Sequence, residues 1–186
     1  GLDEFVHETS NVGVKKFIIH ARKAVLNGLS PKQNREIPPL NYLRVKKLKV
    51  DNKNLEIILN GGIKTLKHGL NHLKEFGLDG FMMGREAYQN PYILSDVDTK
   101  IFRSSQRMKI SRRDVVFKIA NYIDKFLYED NEFAIIRHIL GLYNNMPGAR
   151  KWRSNLVKKE SYFVKGDKLR FATDEIEKFI YRNAAA

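Results

Sequence analysis

"LEIILNGGIKT", residues 55–65, decides how the first half of this chain is read. Leu55, Ile57, Ile58 and Leu59 make one short apolar run that stops at the pair Gly61–Gly62, which predicts a buried strand ending in a tight turn. Thr65 then opens "TLKHGLNHLKEFG", where Leu66, Leu70 and Leu73 fall at helical spacing and Gly77 is the expected stop. Upstream, "VKKFIIHA" (14–21) repeats the apolar run through Phe17, Ile18 and Ile19. Downstream, "LDGFMMGR" (78–85) supplies a third strand, Phe81–Met83, followed by the short helical candidate "EAYQNPYIL". Three short strands with a crossover helix between two of them predict parallel α/β architecture. Three strands cannot close a barrel, and a parallel sheet with bare edges is a poor core. The alternatives are a small open α/β domain or a larger sheet whose other strands are missing.

After about residue 100 the period changes. Ser111 and Asp114 form a capping box ahead of "VVFKIANYIDKFLYE", with Val115, Ile119, Tyr122, Ile123 and Phe126 expected along one face. "EFAIIRHILGLYNNM" predicts a second amphipathic helix through Phe133, Ile136, Ile139, Leu140 and Tyr143. "MPGAR" interrupts it, "KWRSNLVKKE" resumes helical character, and "TDEIEKFIYRN" is expected as the last helix with Thr173 as its cap. The reading is therefore α/β plus all-α, in two domains, 1–100 and 101–186.

The 186 residues carry 34 Lys and Arg against 21 Asp and Glu, a formal charge of +13. That excess favours a polyanionic partner. No apolar run approaches the roughly 18 residues needed to span a bilayer, no signal-peptide pattern stands at the start, and a cytoplasmic location is expected. The absence of cysteine excludes disulfides, thiolate metal sites and a thiol nucleophile within the chain. The first residue is Gly1 rather than Met, which leaves room for a missing upstream region.

Asn60, Gly61 and Gly62 sit just beyond one strand, and Gly84 and Arg85 just beyond the next. Glycine lets backbone N–H groups approach an anion, and arginine pairs with phosphate bidentately. Two such turns on adjacent strands resemble the phosphate cup of a β/α barrel, against the blander reading of two ordinary βα turns with a surface arginine. His20 ends the first strand and can point into the same mouth, with Arg22 two residues on. His68 and His72 have i,i+4 spacing without an HExxH motif; a solvated helix face explains them, and no metal is expected. Residues 22–49 hold eight basic residues against one acidic, and residues 147–170 hold eight against two, around Trp152. Distributed cations contact phosphates and exposed aromatics stack on bases, although Trp152 is equally suited to packing between helices. The proline pair of "NREIPPLNY" (34–42) makes that stretch a stiff basic loop, neither helix nor inner strand.

"FIIHARKA", "LSPKQNREIPPL", "LNGGIKT", "GFMMGREAYQNP" and "RHILGLYNNMPGARKWR" together, in this order and spacing, resemble the tRNA-dihydrouridine synthase family, especially its DusA branch. The resemblance implies that the strands are the last three of a flavin-binding TIM barrel, incomplete here because its amino-terminal half is missing, followed by a helical tRNA-binding domain. It implies FMN as cofactor, NADPH as reductant and the tRNA D-loop as partner, with D-loop uridine reduced to dihydrouridine. His20, Asn60, Gly61, Gly62, Gly84 and Arg85 map to FMN-binding positions; Lys32, Arg35, Arg150 and Arg153 map to positions associated with tRNA. No catalytic residue maps onto this chain, because the family's proton-donating cysteine and a flavin-contacting lysine lie upstream. The intact protein is expected to be an oxidoreductase and this chain alone to be inactive. A non-catalytic tRNA-binding module and an unrelated α/β phosphate binder are the alternatives.

Overall fold

Glu56–Asn60 forms the central strand, β2, flanked in parallel by β1 (Lys16–His20) and β3 (Gly80–Met82) in a computed structural model that describes residues 1–104, 109–126, 132–158 and 164–184. The chain forms two compact units, Gly1–Glu86 and Ala87–Ala186. In the first, Phe17, Ile19, Ile57 and Leu59 alternate onto one face of the sheet. There they bury against Val6 of α1 (Leu2–Asn11), Val45 and Leu48 of α3 (Tyr42–Asp51), and Phe76 of α4 (Leu66–Phe76). Helix α4 starts where the sequence places it: Thr65 Oγ1 accepts from the His68 N–H at 3.0 Å, and the helix ends at Gly77 in the left-handed region, φ +64°.

The other face of the sheet is open. It carries Lys16, Ile18 and His20 from β1, in register with Glu56, Ile58 and Asn60 of β2. Ile18 is 56% exposed and Met82 43%, so β1 is not the uniformly buried strand its apolar run suggests; strand periodicity puts Ile18 opposite its two neighbours. The third strand also starts one residue earlier than expected, at Gly80.

Helices make up the secondary structure of the second unit among the described residues. The stretch expected as one helix over 86–94 is two pieces, α5 (Arg85–Gln89) and a 3-10 segment, Pro91–Asp96, split at the proline; α6 (Val97–Lys100) follows. Helix α7 (Arg112–Phe126) opens with the expected capping box, Ser111 Oγ accepting from the Asp114 N–H and Asp114 Oδ2 from the Ser111 N–H. Its buried seam is Val116, Ala120 and Ile123, whereas Tyr122 and Phe126 point to solvent. Leu127–Glu129 of the expected helix lie outside the described residues.

The second expected helix is only one turn, α8 (Phe133–Ile136), and tight i+3 turns carry the backbone on to Met146. Those turns still bury Ile136, Ile139 and Tyr143, so the apolar spacing marks the core without specifying a continuous helix. Helix α9 (Ala149–Val157) buries Trp152 and Leu156; Lys159 and Glu160 lie outside the described residues. The last helix, α10 (Asp167–Ala184), begins six residues before Thr173. Thr173 is fully buried mid-helix, its Oγ1 donating to the Leu169 carbonyl at 2.8 Å, which corrects its reading as a cap.

Candidate functional site

His20 and Asn60 end adjacent strands in direct register, and Met82 continues the row on β3. The Ala21 N–H donates to the Asn60 carbonyl at 2.8 Å, which holds the ends of β1 and β2 together. Beyond Asn60 the chain turns through Gly61 (φ +111°) and Gly62 (φ +70°). A Cβ on Gly62 would stand 2.4 Å from Leu40 Cδ1 and 2.8 Å from the Tyr42 hydroxyl. The Tyr42 hydroxyl also donates to the Gly61 carbonyl at 3.0 Å. The glycine pair thus lets the segment after the two prolines lie against the strand ends.

That segment, residues 22–42, is tied down chiefly through its backbone. Arg22 Nη1 donates to the Glu36 carbonyl at 3.1 Å and to the Pro38 carbonyl, and Arg22 makes an isolated antiparallel bridge with Leu40. Asn34 pairs with both backbone groups of Val25. The turn α2 (Pro31–Asn34) is capped by Ser30, which accepts from the Gln33 N–H at 3.3 Å. From the end of β3, Arg85 reaches Glu36 Oε1 and the Arg35 carbonyl, each at 3.3 Å. Burial, then the positive charges of Arg22 and Arg85, hold the His20 imidazole below its ordinary range, so it is neutral at pH 7. Arg22 Nε is buried with no hydrogen-bond partner. The strand ends therefore present a neutral imidazole and an amide beside two guanidinium groups, a set suited to a ligand with both an anionic and a polar ring portion.

Of the expected residues, His20, Asn60, Gly61, Gly62 and Arg85 gather at this end of the sheet. Gly84 lies at the same end, with nothing within 4 Å of where a Cβ would stand. Lys32 and Arg35 project from the tied segment as exposed side chains. Arg150 and Arg153 lie in the other unit, exposed on α9. Trp152, between them, is fully buried; its Nε1–H donates to the Ile139 carbonyl at 3.4 Å and its ring packs on Tyr143, so it is a core residue.

The sequence profile of the dihydrouridine synthase (Dus) family matches residues 2–177. The chain belongs to that family. Among similar proteins, the tRNA-dihydrouridine(20/20a) synthase of Vibrio vulnificus (strain CMCP6) is 48% identical over 157 residues, covering 83% of this chain and 47% of that protein. The Pseudomonas aeruginosa protein of the same name is 46% identical, over 83% and 46%. That of Escherichia coli O6:H1 is 49% identical, again over 83% and 46%. The Dus chain thus spans about half the length of the curated relatives it matches.

Two features of this Dus chain escape a reading by motif. His68 and His72 are not a solvated pair. Their Nε2 atoms are 2.9 Å apart, and His72 is tilted against Tyr42 and stacked on Phe76, with Nδ1 buried and unpartnered. Only the i,i+4 spacing hinted at the pair, because Tyr42 arrives from a distant part of the sequence. The second is an open groove of about 690 Å³ along α9, with Met146 and Phe179 among its apolar walls and Arg150, Lys151 and Lys158 as its cations. Phe179 stands apart from any basic motif, and tertiary packing alone brings it there.

Proposed function

We propose that this chain is the carboxy-terminal part of an FMN-dependent, NADPH-consuming tRNA-dihydrouridine synthase, and that it supplies one side of the cofactor mouth and part of the tRNA grip. The carrying observation is the register of His20 with Asn60 at the carboxyl ends of adjacent parallel strands, in a chain about 48% identical to tRNA-dihydrouridine(20/20a) synthases. Carboxyl strand ends are where β/α-barrel enzymes build their sites. The bare second face of the sheet supports a barrel completed by further strands, since parallel sheets are normally covered on both faces.

The donor set fits a flavin mononucleotide. Arg85 and the unpartnered Arg22 Nε offer positive charge and N–H donors suited to the phosphate, while Asn60 and the neutral His20 suit heteroatoms of a ring. When bound, FMN renewed by NADPH supplies the hydride that uridine C6 receives. This chain's residues bind and orient: Arg85 and Gly84 at the phosphate end, His20 and Asn60 at the ring, and the tied segment presenting Lys32 and Arg35 to the RNA. A uridine must leave its stack to reach such a mouth. The family resemblance assigns the C5 proton to a cysteine, a residue type this chain lacks, so the chain alone is inactive.

The test uses the full-length protein that carries this chain, with NADPH and unmodified tRNA. Bound flavin and formation of dihydrouridine in the D-loop, read by mass spectrometry, are expected. Arg85→Ala should lower flavin occupancy before it affects RNA affinity. A flavin-free parent protein that forms no dihydrouridine overturns the reading.

A further inference from the structure

The groove in the helical unit has a floor and a rim of different chemistry. Its floor includes the Phe179 ring, which α10 leaves 38% exposed. The ring is held in place: a Cβ on Gly148 (φ +82°) would stand 2.9 Å from Phe179 Cδ1, so the turn before α9 rests directly on it. Ser154 and Asn155 place a hydroxyl and an amide on the wall.

The rim cations are not equivalent. Lys151 is engaged with Glu175 at 2.8 Å. Arg150 and Lys158 make no ion pair among the described residues. At about 100° per residue, Lys158 lies about 80° round α9 from Arg150, on the groove side, whereas Arg153 lies about 60° round in the opposite direction. Arg153 does not line the groove. The family resemblance groups Arg150 with Arg153; the groove pairs it with Lys158.

We propose that this groove seats one unpaired nucleotide of the RNA substrate, its base against the Phe179 ring and its phosphate between Arg150 and Lys158. The proposal rests on the tRNA reading above and gives that grip a specific subsite. Every base has a π face, so an aromatic floor accepts a base without reading its identity, and flanking cations neutralise the backbone. Its volume lies within the roughly 300–1,000 Å³ of ligand clefts. An acidic peptide would satisfy the cations but would leave the ring without a stacking partner.

The experiment measures affinity of the full-length enzyme for unmodified tRNA over a salt series. Phe179→Leu keeps apolar bulk against Gly148 but removes the π face; affinity should fall roughly five- to twentyfold with the salt slope unchanged, the order of one lost stack. Phe179→Tyr should bind like the parent. Lys158→Gln should weaken binding and reduce the log–log salt slope by about one. Ultraviolet cross-linking should place an RNA adduct on the peptide containing Phe179. Parental affinity in both Phe179→Leu and Lys158→Gln, with dihydrouridine still formed by the parent, overturns the groove and leaves the enzyme reading standing. A parent that forms no dihydrouridine, while both variants lose tRNA affinity as described, overturns the enzyme reading and supports the groove. Retained flavin and an unchanged melting temperature show that a loss of affinity is not a loss of fold.

Discussion

The two units use their apolar residues differently. In the helical unit Trp152, Ile123, Leu156, Leu169 and Ile176 are all fully buried among one another, so those helices enclose a core of their own. In the sheet unit Ile57 is fully buried while Ile18, on the neighbouring strand, is 56% exposed. A helix hides a stripe by turning it toward its neighbours, but a parallel sheet has two faces and needs a layer on each. The first unit has a layer on one. Its apolar surplus therefore reads as a demand for partners, while that of the helical unit is already met.

The largest expected effect tests that contrast. Ile57→Ala should cost about 2–5 kcal/mol of stability in the full-length protein, measured by denaturant unfolding. If further strands and their side chains cover the open face, Ile18→Ala should cost a similar amount there. A loss below about 0.5 kcal/mol, as for a surface position, would show that the face stays bare.

A smaller effect separates glycines that the sequence treats alike. Gly62→Ala forces a left-handed backbone on alanine, worth about 1–2 kcal/mol, and drives a methyl into Leu40. Gly84→Ala meets open space and should leave stability within about 0.5 kcal/mol while reducing flavin content, if the phosphate sits there. Melting temperature and flavin absorbance, read on both variants, distinguish a packing glycine from a ligand glycine.

The smallest effect is the part of the pH dependence that the sheet unit contributes. Burial first, then the neighbouring His68, lowers the pKa of His72, with Glu75 opposing. The unfolded chain then takes up a proton at about pH 6.5 before the native state does. Stability should be flat above that value and fall as the pH drops through it toward the lower native pKa. His20 adds to the same trend. His72→Phe should flatten part of the slope in unfolding experiments between pH 7 and 5; an unchanged slope would remove the histidine pair from the explanation.

What the sequence showed clearly was local. Thr65 and Gly77 bracket α4 because a cap and a left-handed stop act within a few residues, and the Ser111–Asp114 box does the same for α7. Helix α3 is not legible in the sequence, because among its basic residues Val45 and Leu48 supply only a narrow buried stripe. Thr173 has good capping chemistry, yet once buried it bonds back into its own helix instead. At the strand ends, His20, Asn60 and Arg85 were visible from their positions after apolar runs. Tyr42, Leu40 and the Arg22 carbonyl contacts were not, since each depends on a loop folding back across many residues. Phe179 was hidden for the same reason.

The loop of residues 22–42 is fastened largely through main-chain groups: the Glu36 and Pro38 carbonyls accept from Arg22, the Arg35 carbonyl accepts from Arg85, and the Asn41 N–H donates to the Ala21 carbonyl. Its course is therefore largely insulated from the identity of the side chains it displays. Lys32 and Arg35 take no side-chain part in the fastening, so exchanging them alters the charge the loop displays without altering where it stands. Charge beside the strand ends can in this way change one residue at a time while the backbone path is kept. The same insulation makes Arg22 the position where such freedom ends, because its replacement would release the shape on which the other residues vary.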